Sequence, residues 1–120
     1  MTTDGILIDA RDGAGLFYGA QTLMQLPDDC PCLTIRDYAC TPIRMIHWDL
    51  KGYLPRFEVL KTEMRRLAHY KVNAILLELE DKYAYRCAPD VAVDGAYTYE
   101  EMRELSKLAK DLHIAIVPKL

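Results

Sequence analysis

The stretch NAILLELEDKYAY, Asn73–Tyr85, contains an apolar run that ends in closely spaced carboxylates. Apolar residues at alternate positions predict a strand over 73–80, with Ile75, Leu77 and Leu79 on one face. The end of this strand carries Glu78, Glu80 and Asp81. These carboxylates have three interpretations: the catalytic pair of a hydrolase, the rim of a binding site, or solvated side chains at a strand end.

A helix is predicted on each side of this strand. The first, PRFEVLKTEMRRLAHYK, begins at Pro55 and has apolar residues at steps of three and four, namely Phe57, Leu60, Met64 and Leu67. The second, YTYEEMRELSKLAKDLHI, has Thr98 and Glu101 in the spacing of a capping box. Tyr97 and Met102 stand where a hydrophobic staple would place them. The first helix is therefore predicted to be amphipathic, and the second is predicted to begin at Thr98.

Two more strands complete the pattern. RMIHWDLKG, residues 44–52, places Ile46, Trp48 and Leu50 on one face and His47, Asp49 and Lys51 on the other. Ile114–Val117 is a third apolar run. Strand, helix, strand, helix, strand in this order predicts a parallel sheet with right-handed crossovers.

The fold class then follows from the turns that come after the strands. A dinucleotide-binding sheet would have a glycine-rich turn after its first strand, but DLKGYLPR contains one glycine. Polar residues gather instead where strands end, as in a barrel: Asp49, Lys51, Glu78, Glu80 and Asp81. We therefore expect an α/β fold, a partial (β/α)8 TIM barrel with its first three strands and two helices. A complete barrel takes about 250 residues, so the first and third strands are expected to be open edges. The chain alone is predicted to be poorly stable or self-associating.

The amino-terminal part has a different organisation. GILIDA, Gly5–Ala10, is predicted as a short strand, and AGLFYGAQTLMQL as a helix with Leu16, Ala20, Leu23 and Met24 at helical spacing. Pro27–Pro31 ends this helix, and Leu33–Ala39 is predicted to be extended. A domain boundary is expected near residue 40.

Composition narrows the classes of partner. The chain has 120 residues, 51% hydrophobic and 28% charged, with a net charge of −3 and interspersed basic and acidic residues. This charge pattern predicts neither a nucleic-acid nor a membrane partner. The sequence contains neither a signal-peptide pattern nor an apolar run of roughly 18 residues, which favours a cytoplasmic location. Cys30, Cys32, Cys40 and Cys87 lack zinc-ribbon spacing, so reduced thiols are expected, with no metal and no cofactor.

Four segments, in order, resemble family 20 glycoside hydrolases, the β-N-acetylhexosaminidases. GAGLFYGAQTLMQL resembles the last helix of the small domain before that family's barrel, and TPIRMIHWDLKG resembles the first barrel strand. NAILLELEDKYAYR resembles the second strand, and YTYEEMRELSKLAKDLHIAIVP resembles the next helix and strand. The resemblance implies that residues 1–40 are the end of a small α+β domain and that residues 41–120 are the first part of a truncated catalytic barrel.

The resemblance also implies roles for single residues. Arg44 and Asp49 match the arginine and aspartate of the first strand. Asp81 matches an aspartate that hydrogen-bonds a histidine, which in turn orients the catalytic acid. That histidine would lie beyond Leu120. The family's catalytic Asp-Glu pair belongs to the fourth strand, so the expectation is that this chain contains no catalytic residue and is inactive alone.

Two departures from the family affect the substrate site. Lys51 and Gly52 stand where the family has a sugar-binding arginine, and Glu78 stands where it has a histidine. We expect Lys51, Asp49, Glu78 and Glu80 to bind substrate, a glycan or glycoside with N-acetylhexosamine. The implied parent protein is an exo-acting glycosidase with a substrate-assisted retaining mechanism. The alternative is a non-catalytic carbohydrate-binding or assembly module.

Several residues have a structural interpretation as well. Glu78 and Glu80 can be solvated or paired with lysine, and His47 can be a hydrogen-bonded histidine near the core. Trp48 can pack against a helix or serve as a sugar platform. Arg44, at the amino end of its strand, is expected to be structural. Two loop tyrosines can line a sugar site: Tyr83 and Tyr85.

Overall fold

The computed structural model describes residues 5–119, and the chain divides into two compact units between Pro42 and Ile43. In the described residues, no helix combines the length and apolar character that a membrane crossing requires. The assignment of the first unit to a small α+β domain and of the second to the start of a barrel stays a prediction.

Helix α1, Gly13–Leu23, is the regular element of the first unit. Its N-cap is Asp12, whose side chain accepts a hydrogen bond from the Gly15 amide at 2.7 Å. A Cβ at Gly15 would lie 2.9 Å from the Cβ of Ala10, and one at Gly19 would lie 2.6 Å from a methyl of Ile8. The two glycines therefore let the preceding segment approach the helix closely.

The predicted strand Gly5–Ala10 is wrong. Gly5 forms an isolated bridge, and residues 6–10 have neither helical nor strand structure. The reason is visible at the glycines, because Ile8 and Ala10 pack against α1 rather than joining a hydrogen-bonded ladder. Residues 33–39 likewise form no helix or strand, although Asp37 reaches back to within 3.0 Å of the Thr22 hydroxyl.

The second unit is a three-stranded sheet with two long helices. Its elements in chain order are β1 (Met45–Asp49), α2 (Phe57–His69), β2 (Ala74–Glu78), two short 3-10 turns (Glu80–Lys82 and Pro89–Val91), α3 (Tyr99–Asp111) and β3 (Ala115–Lys119). The strand order is β1-β2-β3, and both pairs are parallel. This confirms the predicted parallel sheet with a helix between successive strands. Helix α2 begins after Arg56, so Pro55 lies just outside it.

Both helices end in the same type of turn. In α2 the amides of Lys71 and Val72 bond the carbonyls of Ala68 and Leu67, and in α3 two amides bond the last turn in the same way. These are Schellman motifs, which require a left-handed residue just after the helix. That residue is Lys71 (φ 61°) after α2 and His113 (φ 55°) after α3. The chain thus reverses into β2 and β3 with one repeated geometry.

Asn73 links the amino ends of all three strands. Its side-chain oxygen accepts the Arg44 amide at 2.7 Å, and its own amide donates to the Arg44 carbonyl at 3.1 Å. Its carbonyl accepts the Ala115 amide at 2.9 Å. Arg44 adds a bond from Nε to the Lys71 carbonyl at 2.7 Å. These bonds fix the register at which the parallel strands begin.

Replacing Asn73 tests this link. Asn73→Ala should lower the free energy of unfolding by about 1–3 kcal/mol, because the part-buried Arg44 amide loses its acceptor. Asn73→Asp keeps an oxygen at that position and should lose clearly less. Urea denaturation of the three proteins measures both differences, and equal losses for the two variants would contradict the assigned role.

One face of the sheet is covered by the two helices. Successive right-handed crossovers in one direction place both helices on the same side. Lys61 of α2 bonds Glu104 of α3 at 2.6 Å, as expected for neighbours. The buried side chains on this side come from both helices and from β2: Leu60, Met64, Ala68, Leu105, Ala109, Ile75 and Leu77. This confirms that Ile75 and Leu77 share a buried face.

The opposite face of the sheet carries three cross-strand rows. The strand register aligns Met45 with Ala74 and Ala115, then His47 with Leu76 and Val117, then Asp49 with Glu78 and Lys119. Met45 and Val117 are about two-fifths exposed. This face is therefore apolar at the amino ends of the strands and charged at their carboxyl ends.

The connection from β2 to α3 is closed by backbone bonds near its two ends. The Tyr97 amide donates to the Lys82 carbonyl at 2.8 Å, and the Ala84 amide donates to the Tyr97 carbonyl at 3.0 Å. The Tyr97 hydroxyl donates to the Pro55 carbonyl at 2.6 Å, and burial raises the pKa of this phenol to about 12. Tyr97 therefore fixes the connection to the start of α2.

The predicted capping box is confirmed at the start of α3. The Glu101 amide donates to the Thr98 hydroxyl at 3.1 Å, and the Thr98 amide donates to the Glu101 carboxylate at 2.8 Å. The Tyr97–Met102 staple stays a prediction.

Removing the cap should have a measurable cost. Thr98→Ala should lower the free energy of unfolding by about 1 kcal/mol, because the Glu101 amide loses its partner. Thr98→Ser retains the hydroxyl and should remain within a few tenths of a kcal/mol of the original protein. Thermal or urea denaturation gives both values, and a neutral Thr98→Ala variant would contradict the capping role.

Candidate functional site

The charged row at the carboxyl ends of the strands is the candidate site. Asp49 of β1, Glu78 of β2 and Lys119 of β3 occupy paired positions in the parallel register. Two carboxylates on adjacent strands repel each other unless a cation lies between them. Lys51, just after β1, supplies that cation: its Nζ lies 3.2 Å from Asp49 Oδ2 and 2.8 Å from Glu78 Oε1.

Glu78 is the centre of this cluster. Its side chain is 3% exposed, and its carboxylate is contacted from both neighbouring strands. Oε1 accepts from Lys51 Nζ at 2.8 Å, whereas Oε2 lies 2.7 Å from His47 Nε2 and 2.8 Å from Lys119 Nζ. A buried carboxylate is stable only with such partners. Glu78 is therefore paired rather than solvated, which excludes for this residue the interpretation as a solvated side chain.

The electrostatics of the cluster favour its ionised form. Lys119 and Lys51, with a further bond from His47, lower the pKa of Glu78 from 4.5 to about 2 despite its burial. The hydrogen bond to Glu78 raises the pKa of Lys51, with a second contribution from Asp49. A bond from the Lys51 backbone amide lowers the pKa of Asp49. At neutral pH the row therefore holds two carboxylates and two ammonium groups.

The groups around Glu78 remain accessible to a ligand. The side chains of His47 and Lys51 are each 44% exposed, and that of Lys119 is 49% exposed. Asp49 is also 44% exposed. The arrangement is a buried anion surrounded by half-exposed hydrogen-bonding groups, which suits recognition of a polar ligand at the edge of the sheet.

Glu80 does not share a face with Glu78, as the predicted strand 73–80 required. Strand β2 ends at Glu78, and Leu79 already has helical angles. Glu80 adopts a left-handed conformation (φ 45°) in a 3-10 turn and is exposed. The alternation of side chains between the two faces of the sheet stops at the end of β2, so Glu80 does not lie in the charged row. Its role in binding substrate stays a prediction.

Asp81 lies in the same turn. Its carboxylate pairs with the ammonium group of Lys82, whose side chain is only 10% exposed. Its backbone carbonyl accepts the Val93 amide at 2.9 Å. The Asp81 side chain is 38% exposed, so part of it remains accessible. Its predicted role in orienting a histidine stays a prediction.

The other residues singled out in the sequence lie away from the charged row. Arg44 is at the amino end of β1, where its contacts to the turn before β2 agree with a structural role. Trp48 is half-buried and, by alternation, on the helix-covered face. Tyr83 and Tyr85 contact each other edge to face at 4.9 Å between ring centroids. No described contact joins these two rings to Glu78.

Sequence reasoning missed Lys119 as a site residue. The predicted third strand, Ile114–Val117, ended two residues before Lys119. The strand instead continues to Lys119, since a proline is tolerated on an edge strand. Placing Lys119 on the strand would have aligned it with Glu78. Lys119 could therefore have been found from the register between β2 and β3, but not from a sequence motif.

Metal binding is not indicated at this edge. In residues 5–119, no three His, Cys, Asp or Glu side chains are grouped as metal ligands, and the four cysteines are free thiols. The expectation of no metal and no cofactor stays a prediction.

Comparison with known proteins identifies the relatives of this chain. Residues 1–38 match the family described as glycosyl hydrolase family 20, domain 2. A β-hexosaminidase of Porphyromonas gingivalis is 23% identical over 97% of the chain, and an N,N'-diacetylchitobiase of Vibrio harveyi is 29% identical over 91%. A solved family 20 β-N-acetylglucosaminidase matches 92% of the chain with a TM-score of 0.79 and 29% identity. The chain is therefore similar to proteins of glycoside hydrolase family 20 over most of its length.

The chain is short relative to these family 20 proteins. It spans 19% of the Porphyromonas protein, 13% of the Vibrio protein and 27% of the solved structure. The match to the solved structure includes the parallel α/β arrangement described above. The chain thus corresponds to a small part of the length of each of these proteins.

The pH dependence of stability tests the pairing of Glu78. Because its pKa is lowered to about 2, Glu78 adds stability above its ordinary pKa of 4.5, and this contribution is lost as the pH falls from about 4.5 towards 2. Glu78→Gln should therefore be less stable than the original protein at pH 7, with a difference that shrinks towards pH 2.

Urea denaturation at several pH values measures this difference. Glu80→Gln is the matched control, since it makes the same change on an exposed side chain two residues away. Its difference from the original protein should be small and should not shrink in this way. A Glu78→Gln difference that is constant from pH 7 to pH 2 would contradict the pairing.

Proposed function

We propose that the chain is part of an exo-acting glycoside hydrolase that releases terminal β-linked N-acetylhexosamine. The observation that carries this proposal is the match to a family 20 β-N-acetylglucosaminidase over 92% of the chain. The names of the two curated relatives, a β-hexosaminidase and a chitobiase, agree with it. The proposed substrate is therefore a glycan or glycoside with N-acetylhexosamine at its end.

The sheet supports a partial barrel. A parallel sheet in a barrel has helices on one face and the lumen on the other. Here the helices α2 and α3 cover one face, and the other is exposed, with its charged row at the carboxyl ends of the strands. Active sites of barrels lie at that end. We infer that residues 41–120 supply the first three strands of such a barrel and that residues 1–40 end a small α+β domain.

The proposed mechanism divides the work between this chain and other strands. In the substrate-assisted retaining scheme, the substrate's acetamido oxygen attacks the anomeric carbon while an acid protonates the leaving oxygen. The Asp-Glu pair that would assist these steps belongs to the fourth strand, outside this chain. Asp81 would orient the acid through a histidine. Lys51 and Asp49 would bind the sugar.

A non-catalytic carbohydrate-binding module is the second candidate. It is favoured by the two departures from the family, Lys51 in place of an arginine and Glu78 in place of a histidine. An ammonium group donates as a point charge and cannot form the bidentate contact of a guanidinium. This difference bears on how firmly the sugar is held.

An activity measurement separates the two candidates. The full natural protein that carries this chain should release the aryl group from an aryl N-acetyl-β-glucosaminide. It should leave the matching aryl β-glucoside intact, because that substrate lacks the acetamido group that acts as nucleophile. Binding of N-acetylglucosamine without turnover would support the non-catalytic module. Equal turnover of both substrates would overturn the substrate-assisted mechanism.

A further inference from the structure

Glu78 uses its carboxylate within the protein. The donors on Lys51, Lys119 and His47 already occupy its two oxygens, and the side chain is 3% exposed. A ligand therefore has almost no access to it. This observation separates Glu78 from Lys51 and Asp49, which were predicted together with it to bind substrate.

The neighbours of Glu78 have hydrogen-bonding capacity to spare. Each ammonium group has three N–H donors, and Lys119 uses one of them on Glu78. Lys51 uses its donors on Glu78 and Asp49. A carboxylate only accepts, so His47 donates through Nε2, and its Nδ1 in the neutral ring is an acceptor. These side chains are nearly half exposed.

We propose that Lys119 and His47, together with Lys51, contact the ligand and that Glu78 is a positioning residue that holds all three. The ligand class is a neutral sugar with several hydroxyl groups. Hydroxyls both donate and accept, which matches the ammonium donors and the imidazole acceptor. This inference rests on the proposed function only in taking a sugar as the ligand.

Charge balance argues for a neutral ligand over a sulfated or phosphorylated one. The carboxylates of Asp49 and Glu78 offset the two ammonium groups, so the cluster carries no net charge when His47 is neutral. An anionic group would bring a third negative charge to the described part of this edge, where both ammonium groups are already offset.

The side chains that we propose to contact the ligand are positioned by three neighbouring strands. Lys119 comes from β3, His47 from β1, and Glu78 from β2 between them. Long lysine side chains lose much of their rotamer freedom when a ligand orders them. A buried carboxylate that already orders them removes part of this cost before the ligand arrives. Glu78 would therefore affect sugar binding through the side chains that it holds, without contacting the ligand itself.

Calorimetric titration of the full natural protein with N-acetylglucosamine tests this inference. Glu78→Gln should bind about tenfold more weakly, as expected from the loss of charge-assisted bonds to the lysines. Lys119→Met and His47→Ala should each weaken binding severalfold. Lys107→Met, which changes an exposed lysine of α3, is the control and should bind as the original protein does.

The double variant Glu78→Gln with Lys119→Met distinguishes positioning from a general structural effect. If Glu78 acts through Lys119, the two losses should not add, and the double variant should bind less than twofold more weakly than Glu78→Gln alone. Titrations run at a temperature at which every variant is folded remove the effect of stability. Additive losses, unchanged binding by Glu78→Gln, or no binding by the original protein would each overturn the inference.

The outcome is separable from that of the proposed function. Sugar binding with the expected coupling but without hydrolysis would support this inference and reject the enzyme. Hydrolysis by the original protein, with a KM that neither Glu78→Gln nor Lys119→Met changes, would support the enzyme and reject this inference.

Discussion

Two crossovers on the same side of a three-stranded parallel sheet are the constraint from which the other features follow. They bury Ile75 and Leu77 beneath α2 and α3 and leave the second face of the sheet with no helix of this unit to cover it. On that second face the register aligns three rows of side chains across the strands. Met45 and Val117 in the first two rows are about two-fifths exposed, and the last row is charged. The same geometry thus creates both a partly exposed apolar surface and the candidate site.

Much of this fold could be predicted from the sequence because its signals are local. The apolar run at the start of Ala74–Glu78, the helical period of α2 and the capping box at Thr98 each depend on neighbours in the chain. The failures have non-local causes. Gly5–Ala10 has the apolar pattern of a strand but packs on the glycines of α1. Strand β3 extends past Pro118 because its position at the edge tolerates a residue without an amide hydrogen.

In the candidate site, too, local features could be predicted from the sequence and non-local ones could not. Glu78 and Lys51 could be placed opposite each other from strand alternation, and the structure confirms their contact at 2.8 Å. Lys119 could not be placed, since its distance from Glu78 depends on the register of a strand read as ending earlier. Glu80 lies outside the charged row because β2 ends at Glu78 and Glu80 itself adopts a left-handed conformation. No sequence pattern marks the end of β2 at this point, because glutamate has no preference for the left-handed conformation. The burial of Glu78 was not predicted either. In the sequence Glu78 is one of several carboxylates at a strand end, whereas in the structure its side chain is almost fully enclosed by partners from the two neighbouring strands.

The closed connection between β2 and α3 has a consequence for how this chain can vary. The bonds of Tyr97 to Lys82, Ala84 and Pro55, together with the bond from the Val93 amide to the Asp81 carbonyl, fix both ends of this connection. Because the free energy of closing a loop rises only slowly with its length, residues between Arg86 and Val93 can be added or removed with little effect on α3 or the sheet. The middle of the connection can therefore vary in length and sequence while its two ends stay in place. Related proteins could thus acquire different surfaces beside the carboxyl ends of the strands while the row of Asp49, Glu78 and Lys119 keeps its spacing.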